Sequence, residues 1–286
     1  MTALPSAPPA TVREVLASAD ERLAYAGCRS PRLDAELLLC EVLGVERAPL
    51  VADASRALSA DEAEAFEALV ARREAREPVA YILGRKGFRH IDLHVDSRVL
   101  IPRPDTEPLV EAALDLPAGS RVVELGTGSG AVALALKHER PDLQVTATDL
   151  DAGALDVARA NARRLGLDVT LRHADLLAGA GGPFDAVLAN LPYVDVADYV
   201  GLDPEISTHE PRLAVVAGES GFALIRRLIG QLRRTPFVAL EVGLAQDERV
   251  ADMLRGAGYA HIETRRDLAG IERVVVGRRE PRPSTP

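Results

Sequence analysis

Arg121-Val122-Val123-Glu124-Leu125-Gly126-Thr127-Gly128-Ser129-Gly130-Ala131-Val132-Ala133-Leu134-Ala135-Leu136 reads as a strand, a glycine turn and the start of a helix. Such a corner belongs to a Rossmann-like α/β sheet, where the backbone turns sharply and admits a phosphate or a nucleoside with no Cβ in the way. Asp149 follows Gly130 by 19 residues and closes a second strand, Gln144-Val145-Thr146-Ala147-Thr148. A carboxylate at that point can accept both hydroxyls of a ribose.

The same glycines fit Gly126-x-Gly128-x-x-Ala131, a pattern that nicotinamide and flavin enzymes also use. Charge separates the two readings. Glu124, Asp149 and Asp175 place acids at successive strand ends, where a pyrophosphate would be repelled by about 1 to 4 kcal/mol per close pair. S-adenosylmethionine carries a sulfonium and no phosphate, so the acids favour it as cofactor. The alternative for acids at strand-to-helix junctions, such as Asp151 and Asp175, is a solvated helix cap. The candidate cofactor contacts are Glu124, Gly126, Thr127, Gly128, Ser129, Gly130, Asp149, Asp175, Leu176 and Asn190.

A further apolar strand, Phe184-Asp185-Ala186-Val187-Leu188-Ala189, runs into Asn190-Leu191-Pro192-Tyr193. The Asn190 side-chain carbonyl and the Leu191 backbone carbonyl can together accept both hydrogens of an NH2 group, while the Tyr193 ring covers its flat face. Pro192 fixes the turn and adds no donor. Taken alone, the tetrapeptide fits an ordinary proline-containing turn equally well.

Together with other segments these residues resemble the protein-glutamine N-methyltransferases that modify peptide chain release factors. The likeness covers most of the chain. It includes Glu77-Pro78-Val79-Ala80-Tyr81-Ile82-Leu83-Gly84 and Leu100-Ile101-Pro102-Arg103-Pro104-Asp105-Thr106-Glu107, the latter with Asp105 where the family usually has Glu. It continues through Glu210-Pro211, Gly218, Gly221, Leu240-Glu241-Val242-Gly243, Gln246, Asp267, Gly270 and Arg273. The resemblance implies methyl transfer from S-adenosylmethionine to the side-chain amide of the glutamine in the Gly-Gly-Gln loop of class I release factors, a step of translation termination. It implies Asn190, Leu191, Pro192 and Tyr193 as the catalytic motif, and a helical N-terminal domain that grips another part of the factor.

One position departs from the pattern, because the family has Asn-Pro-Pro-Tyr and this chain has Leu191 in the first proline place. The carbonyl of residue 191 survives the change, and the loop loses one fixed φ. Asn-Leu-Pro-Tyr is the form that ribosomal RNA adenine dimethyltransferases carry, so an adenine N-methyltransferase acting on ribosomal RNA or DNA is the rival reading. A silent binder in which Leu191 marks decay of the site is a third.

Composition opposes the rival. The chain has 34 Lys+Arg against 43 Asp+Glu, a formal charge of −9 and a pI near 5.3. RNA binding rests largely on phosphate neutralisation, so this balance argues against nucleic acid as the direct substrate. Lys86 and Lys137 are the only lysines. Arg163-Arg164, or Arg226-Arg227 with Arg233-Arg234, could form a local basic patch, and arginines lying over apolar helix faces explain them as well.

With 286 residues and 47% hydrophobic composition, the chain can bury a full core. No apolar run approaches a membrane span, and residues 1–9 have neither a basic nor an apolar leader segment, so a soluble cytoplasmic protein is expected. Cys28 and Cys40 give no metal or disulfide spacing and read as free thiols. His90 and His94 flank strand-like residues, and no metal is expected.

Periodicity divides the chain. Residues 1–76 form a helical docking domain, with apolar stripes at Val12, Val15, Leu16 and Leu23, then Leu33, Leu37, Leu38 and Val42, then Phe66, Leu69 and Val70. Ser30-Pro31 and Ser59-Ala60-Asp61-Glu62 read as helix starts. Residues 77–106 are read as a linker and a hairpin, with strands Gly87-Phe88-Arg89-His90-Ile91 and Leu93-His94-Val95. Residues 107–278 alternate helix and strand as a doubly wound methyltransferase domain, with strands near 121–126, 144–149, 169–174, 184–190, 236–242, 260–265 and 271–277. The short link Arg266 to Gly270 makes the last two antiparallel and leaves the rest parallel. Residues 279–286, proline-rich from Pro281, read as a disordered tail. The segment from Val194 to Gly218 reads as a long functional loop that Glu210-Pro211 orders. Arg103 and Glu107 either close over the cofactor or form an ion pair, and Glu241 is assigned to the sheet.

Overall fold

The computed structural model describes residues 10–218, 220–232 and 234–280. The tail from Pro281, the leader reading on residues 1–9 and Arg233 of the arginine cluster lie outside the described residues. The chain divides into two compact units between Gly84 and Arg85. The segment read as a linker is therefore shared: its helix belongs to the first unit and its hairpin to the second.

The first unit holds five helices, α1 (Val12–Tyr25), α2 (Pro31–Leu43), α3 (Arg47–Ala52), α4 (Ala60–Glu74) and α5 (Val79–Leu83). Thr11 with Glu14, and Ser59 with Glu62, form reciprocal capping boxes that satisfy the first free N–H groups of α1 and α4. Pro31 opens α2 as expected, although the Ser30 side chain caps nothing. Leu16, Leu23, Leu38, Leu39, Phe66 and Val70 form the core. The apolar stripe expected on α2 is displaced: Leu33 faces solvent and Ala35 is buried. Asp34 and Glu36 take buried positions because arginines neutralise them there, which a count of apolar residues cannot reveal.

The second unit opens with a hairpin, β1 (Arg85–Phe88) and β2 (Ile91–His94). Its strands are displaced from the expected positions, with β1 starting two residues earlier and Ile91 passing to β2, because Arg89 takes φ 49° and turns the chain at Arg89-His90. The buried Asn161 amide exchanges hydrogen bonds with the His94 backbone, 2.8 Å to its N–H and 2.9 Å to its carbonyl. After α6 (Glu107–Glu111) come β3 (Arg121–Leu125), α7 (Ala131–Glu139), β4 (Gln144–Asp149), α8 (Ala152–Leu165), β5 (Thr170–His173) and β6 (Ala186–Ala189). The segment after β6 is not the structureless loop expected. It contains α9 (Val196–Tyr199), a π turn at Glu205–His209 and α10 (Arg212–Val215). α11 (Ala223–Gln231), β7 (Phe237–Glu241), α12 (Asp247–Gly256), β8 (His261–Arg266) and β9 (Glu272–Arg278) complete the unit.

The sheet order is β5-β4-β3-β6-β7-β9-β8, and β9 alone runs against the others. All seven strands match the expected positions to within two residues. β9 inserts between β7 and β8, so the last hairpin closes one end of the sheet with its second strand inward. The expected tail begins later than residue 279, since the Arg279 N–H donates to the Pro236 carbonyl at 2.9 Å and its guanidinium lies over Tyr259 at 4.3 Å. The strand order reverses direction at β3, whose neighbours are β4 and β6. A crevice at the carboxyl ends of these strands is where an open α/β sheet takes its ligand.

Candidate active site

That crevice is a cleft of about 400 Å³, and Glu124, Gly126, Thr127, Gly128, Ser129, Asp149, Asp175, Leu176 and Asn190 all line it. Nine of the ten expected cofactor contacts therefore come together in one place. Gly130 does not. It sits at φ +86°, and a Cβ there would come within 2.8 Å of Leu134, so this glycine serves the entry into α7. Gly128 differs, because a Cβ on it would meet nothing within 4 Å. Its backbone faces the open cleft.

Asp149 is bound to the glycine turn. Its Oδ2 accepts the Gly128 N–H and its Oδ1 the Asp151 N–H, both at 2.9 Å. A carboxylate has about four acceptor positions, so two remain for vicinal hydroxyls. Burial raises its pKa, and the two N–H donors work against that rise. Asp151 caps α8 by accepting the Ala154 N–H at 2.9 Å, as its capping reading requires. Asp175 caps no helix; it pairs with Arg227 at 2.6 Å.

The charges differ from the sequence expectation. Glu124 is buried, and although the Thr127 hydroxyl (2.6 Å) and the Ala133 N–H (2.9 Å) donate to its Oε2, burial pushes its pKa up to about 8. Burial thus favours its neutral form. With Asp175 neutralised by Arg227, the repulsion of a pyrophosphate falls mainly to Asp149. The donor set fits a ribose at Asp149 and an apolar body between Leu176, Val216 and Leu224.

Asn190 and Leu191 leave β6 at the floor of the cleft, with Pro192 beside them. The Asn190 Nδ2 donates to the Thr106 hydroxyl oxygen at 3.2 Å. Leu191 is 5% exposed and belongs to the central core of the unit, so packing anchors the loop where the usual proline would fix φ. Tyr193 is not in the cleft wall. Its ring packs on Gly243, where a Cβ would come within 3.0 Å of Cδ2, and Gln246 Nε2 donates to its carbonyl at 3.3 Å. A Cβ on Gly221 would strike that same carbonyl, which accounts for glycine there.

Arg103 lines the cleft, and its ion pair is with Glu210, in place of the pair with Glu107 that was one of its two expected roles. It donates to Glu210 at 2.6 Å and to the Ile101 carbonyl at 2.7 Å, which ties the segment after β6 to the Pro102-Arg103-Pro104 turn. Glu210-Pro211 orders that segment as expected. Burial raises the Glu210 pKa and Arg103 opposes the rise. Glu241 lies at the end of a central strand, against Asn190 and Thr106. The sequence reading gave Thr106 no role, read Arg227 as part of a basic patch or as lying over a helix face where it pairs with Asp175, and gave Glu241 to the sheet alone. Thr106 stands inside a quoted motif, but a threonine in a proline-rich turn carries no signal of its own. Among the described residues no group of His, Cys, Asp or Glu is placed to hold a metal, and no helix is long and apolar enough to cross a membrane.

A mainly parallel seven-stranded sheet with an acid after its second strand and Asn-Leu-Pro-Tyr after its fourth defines a methyltransferase of the Rossmann-like class. A methyltransferase from Pyrococcus furiosus shares the fold at TM-score 0.52 and 18% identity, covering 75% of this chain and 98% of that one. Residues 14–84 match the PrmC N-terminal domain and residues 104–201 the methyltransferase small domain. The chain is 41% identical over 266 residues to the release factor glutamine methyltransferase of Rhodospirillum rubrum, covering 90% of this chain and 82% of that one. It is 40% identical over 276 residues to the protein of that name from Deinococcus radiodurans, with 94% and 98% covered. The chain belongs to the release factor glutamine methyltransferase family.

Proposed function

We propose that this protein transfers a methyl group from S-adenosylmethionine to the side-chain amide nitrogen of the glutamine in the Gly-Gly-Gln loop of class I peptide chain release factors, in the cytoplasm. The observation that supports the reading is that Asn190 and Leu191, whose side-chain and backbone carbonyls are the two acceptors the reaction needs, lie at the cleft floor beside a glycine turn held by Asp149. When bound, the cofactor supplies an electrophilic methyl on a sulfonium. An amide nitrogen is a poor nucleophile because its lone pair is conjugated. The two carbonyls take its two hydrogens, hold the lone pair in line and stabilise the positive charge that grows on nitrogen. Pro192 keeps the turn in one shape, and Tyr193 supports it from behind through Gly243 and Gln246. Asp149 receives the ribose, Thr127 and Ser129 shape the turn, and Leu176 gives an apolar wall.

The decisive experiment supplies labelled S-adenosylmethionine with purified release factor, a short glutamine peptide and purified ribosomal RNA. Label on the factor and the peptide is expected. Label on RNA alone would make the adenine methyltransferase correct, and label on none would support a silent binder. A chain beginning at Arg85 is expected to methylate the peptide and lose its preference for the intact factor, because the helical unit supplies docking and not chemistry.

A further inference from the structure

The Asn190 amide can serve the reaction only if its oxygen, and not its nitrogen, faces the substrate. Its Nδ2 donates to Thr106 Oγ1 at 3.2 Å. Thr106 is itself buried, as is Glu241, and the Thr106 hydroxyl and the Asn190 amide both lie near enough to the Glu241 carboxyl to lower its pKa against the effect of burial. An ionised carboxylate only accepts, so with Glu241 ionised the single Thr106 proton turns to it and the Thr106 oxygen accepts the Asn190 N–H. Turning the amide over would set Oδ1 against Thr106 Oγ1. The hydroxyl would then have to abandon Glu241, whose Oε2 is already buried without a hydrogen-bond partner among the described residues. Arg273, Asp105 and the Tyr193 hydroxyl are the other charged or titratable groups that act on this carboxylate.

We propose that Thr106 and Glu241 are positioning residues that fix the orientation of the Asn190 amide, so that Oδ1 faces the acceptor group in the cleft. The inference rests on the reading of Asn190 given above. It extends the reaction site by one layer, to a threonine of the Pro102–Glu107 turn and a glutamate at the end of β7. Burial pushes the Glu241 pKa up to about 7, and Thr106, Arg273 and Asn190 oppose the rise.

The test is a double-mutant cycle read as kcat on the glutamine peptide, with calorimetric cofactor affinity and melting temperature measured alongside. Thr106→Val keeps the shape and removes the hydroxyl, and it should lower kcat about tenfold with cofactor affinity within about twofold. Thr106→Ser should recover most of the loss. In an Asn190→Ala background Thr106→Val should add less than about twofold, because nothing remains to orient. Glu241→Leu should lose as much as Thr106→Val, and Glu241→Gln, which keeps an acceptor oxygen, should lose much less. Wild-type turnover in Thr106→Val, or losses that multiply in the double mutant, would overturn the inference. So would a serine variant worse than the valine one, since that ranking belongs to a packing role. Full turnover in Asn190→Ala would instead bring down the reading of the site itself.

Discussion

Two pairs of acids, one in each unit, are buried to a similar depth and treated in opposite ways. In the helical unit Asp34 and Glu36 are 9% and 6% exposed. Asp34 meets Arg73 at 2.8 Å, and Glu36 meets Arg32 and Arg47 at 2.8 and 2.7 Å. Burial raises the Glu36 pKa, yet the two arginines more than reverse it and the net direction is down. In the sheet unit Glu124 and Glu241 are each 3% exposed, and burial wins, to about 8 and about 7. An acid whose charge is fully paired holds helices in register. One left with uncharged donors such as a threonine hydroxyl or a backbone N–H stores a cost in stability, which accumulates where ligands are handled.

The largest effect that could break this contrast is expected in the helical unit. Asp34→Ala removes the carboxylate that Arg73 meets through Nε and should destabilise that unit by about 3 to 5 kcal/mol, as read by denaturant unfolding. A loss under about 1 kcal/mol would mean that the pair is no different from a surface one. Next comes Asn190→Ala, which should cut turnover on glutamine about 100-fold while leaving cofactor affinity nearly unchanged. Leu191→Pro keeps the carbonyl and should keep turnover, at some cost in melting temperature because a core leucine is lost. Turnover lost in Leu191→Pro but retained in Asn190→Ala would refute the two-carbonyl account.

Asp149→Ala should weaken S-adenosylmethionine binding by roughly 1 to 3 kcal/mol in calorimetry, through lost ribose hydrogen bonds and a freed Gly128 N–H. Unchanged affinity would leave Asp149 with the glycine turn alone. A further effect, spread over several pH units, concerns Glu124. Glu124 has a folded pKa of about 8 against an ordinary 4.5, so between these values the folded protein holds a proton that the unfolded chain has released. Its contribution to stability is full below about pH 4.5 and is lost as pH rises through 8, with a slope of at most about 1.4 kcal/mol per pH unit. Glu124→Gln, melted without cofactor, should flatten that slope. An unaltered slope would place the ionisation elsewhere.

Much of the fold follows from the local pattern. The glycine turn after Arg121-Val122-Val123, the alternation of apolar strands with helices and the two capping boxes are properties of short stretches, and the structure keeps each of them. The cleft residues were legible for the same reason, since strand ends in a doubly wound sheet converge on one edge whatever the loops do. Where local pattern misled, a distant partner decided. Leu33 faces solvent because arginines make Asp34 and Glu36 fit to bury, Glu124 loses its charge to a closed environment, and Arg103 finds Glu210 more than a hundred residues away.

By itself the sequence determined the order and kind of the elements, the acid at the end of β4 and the carbonyl pair after β6, because each is set by neighbours in the chain. Only the tertiary structure decided that Tyr193 backs the loop, that Leu191 anchors it by packing, and that Thr106 and Glu241 stand against Asn190. Those contacts join residues 84 and 51 positions from Asn190, and hydrogen-bond direction and burial exist only once the sheet has brought them together.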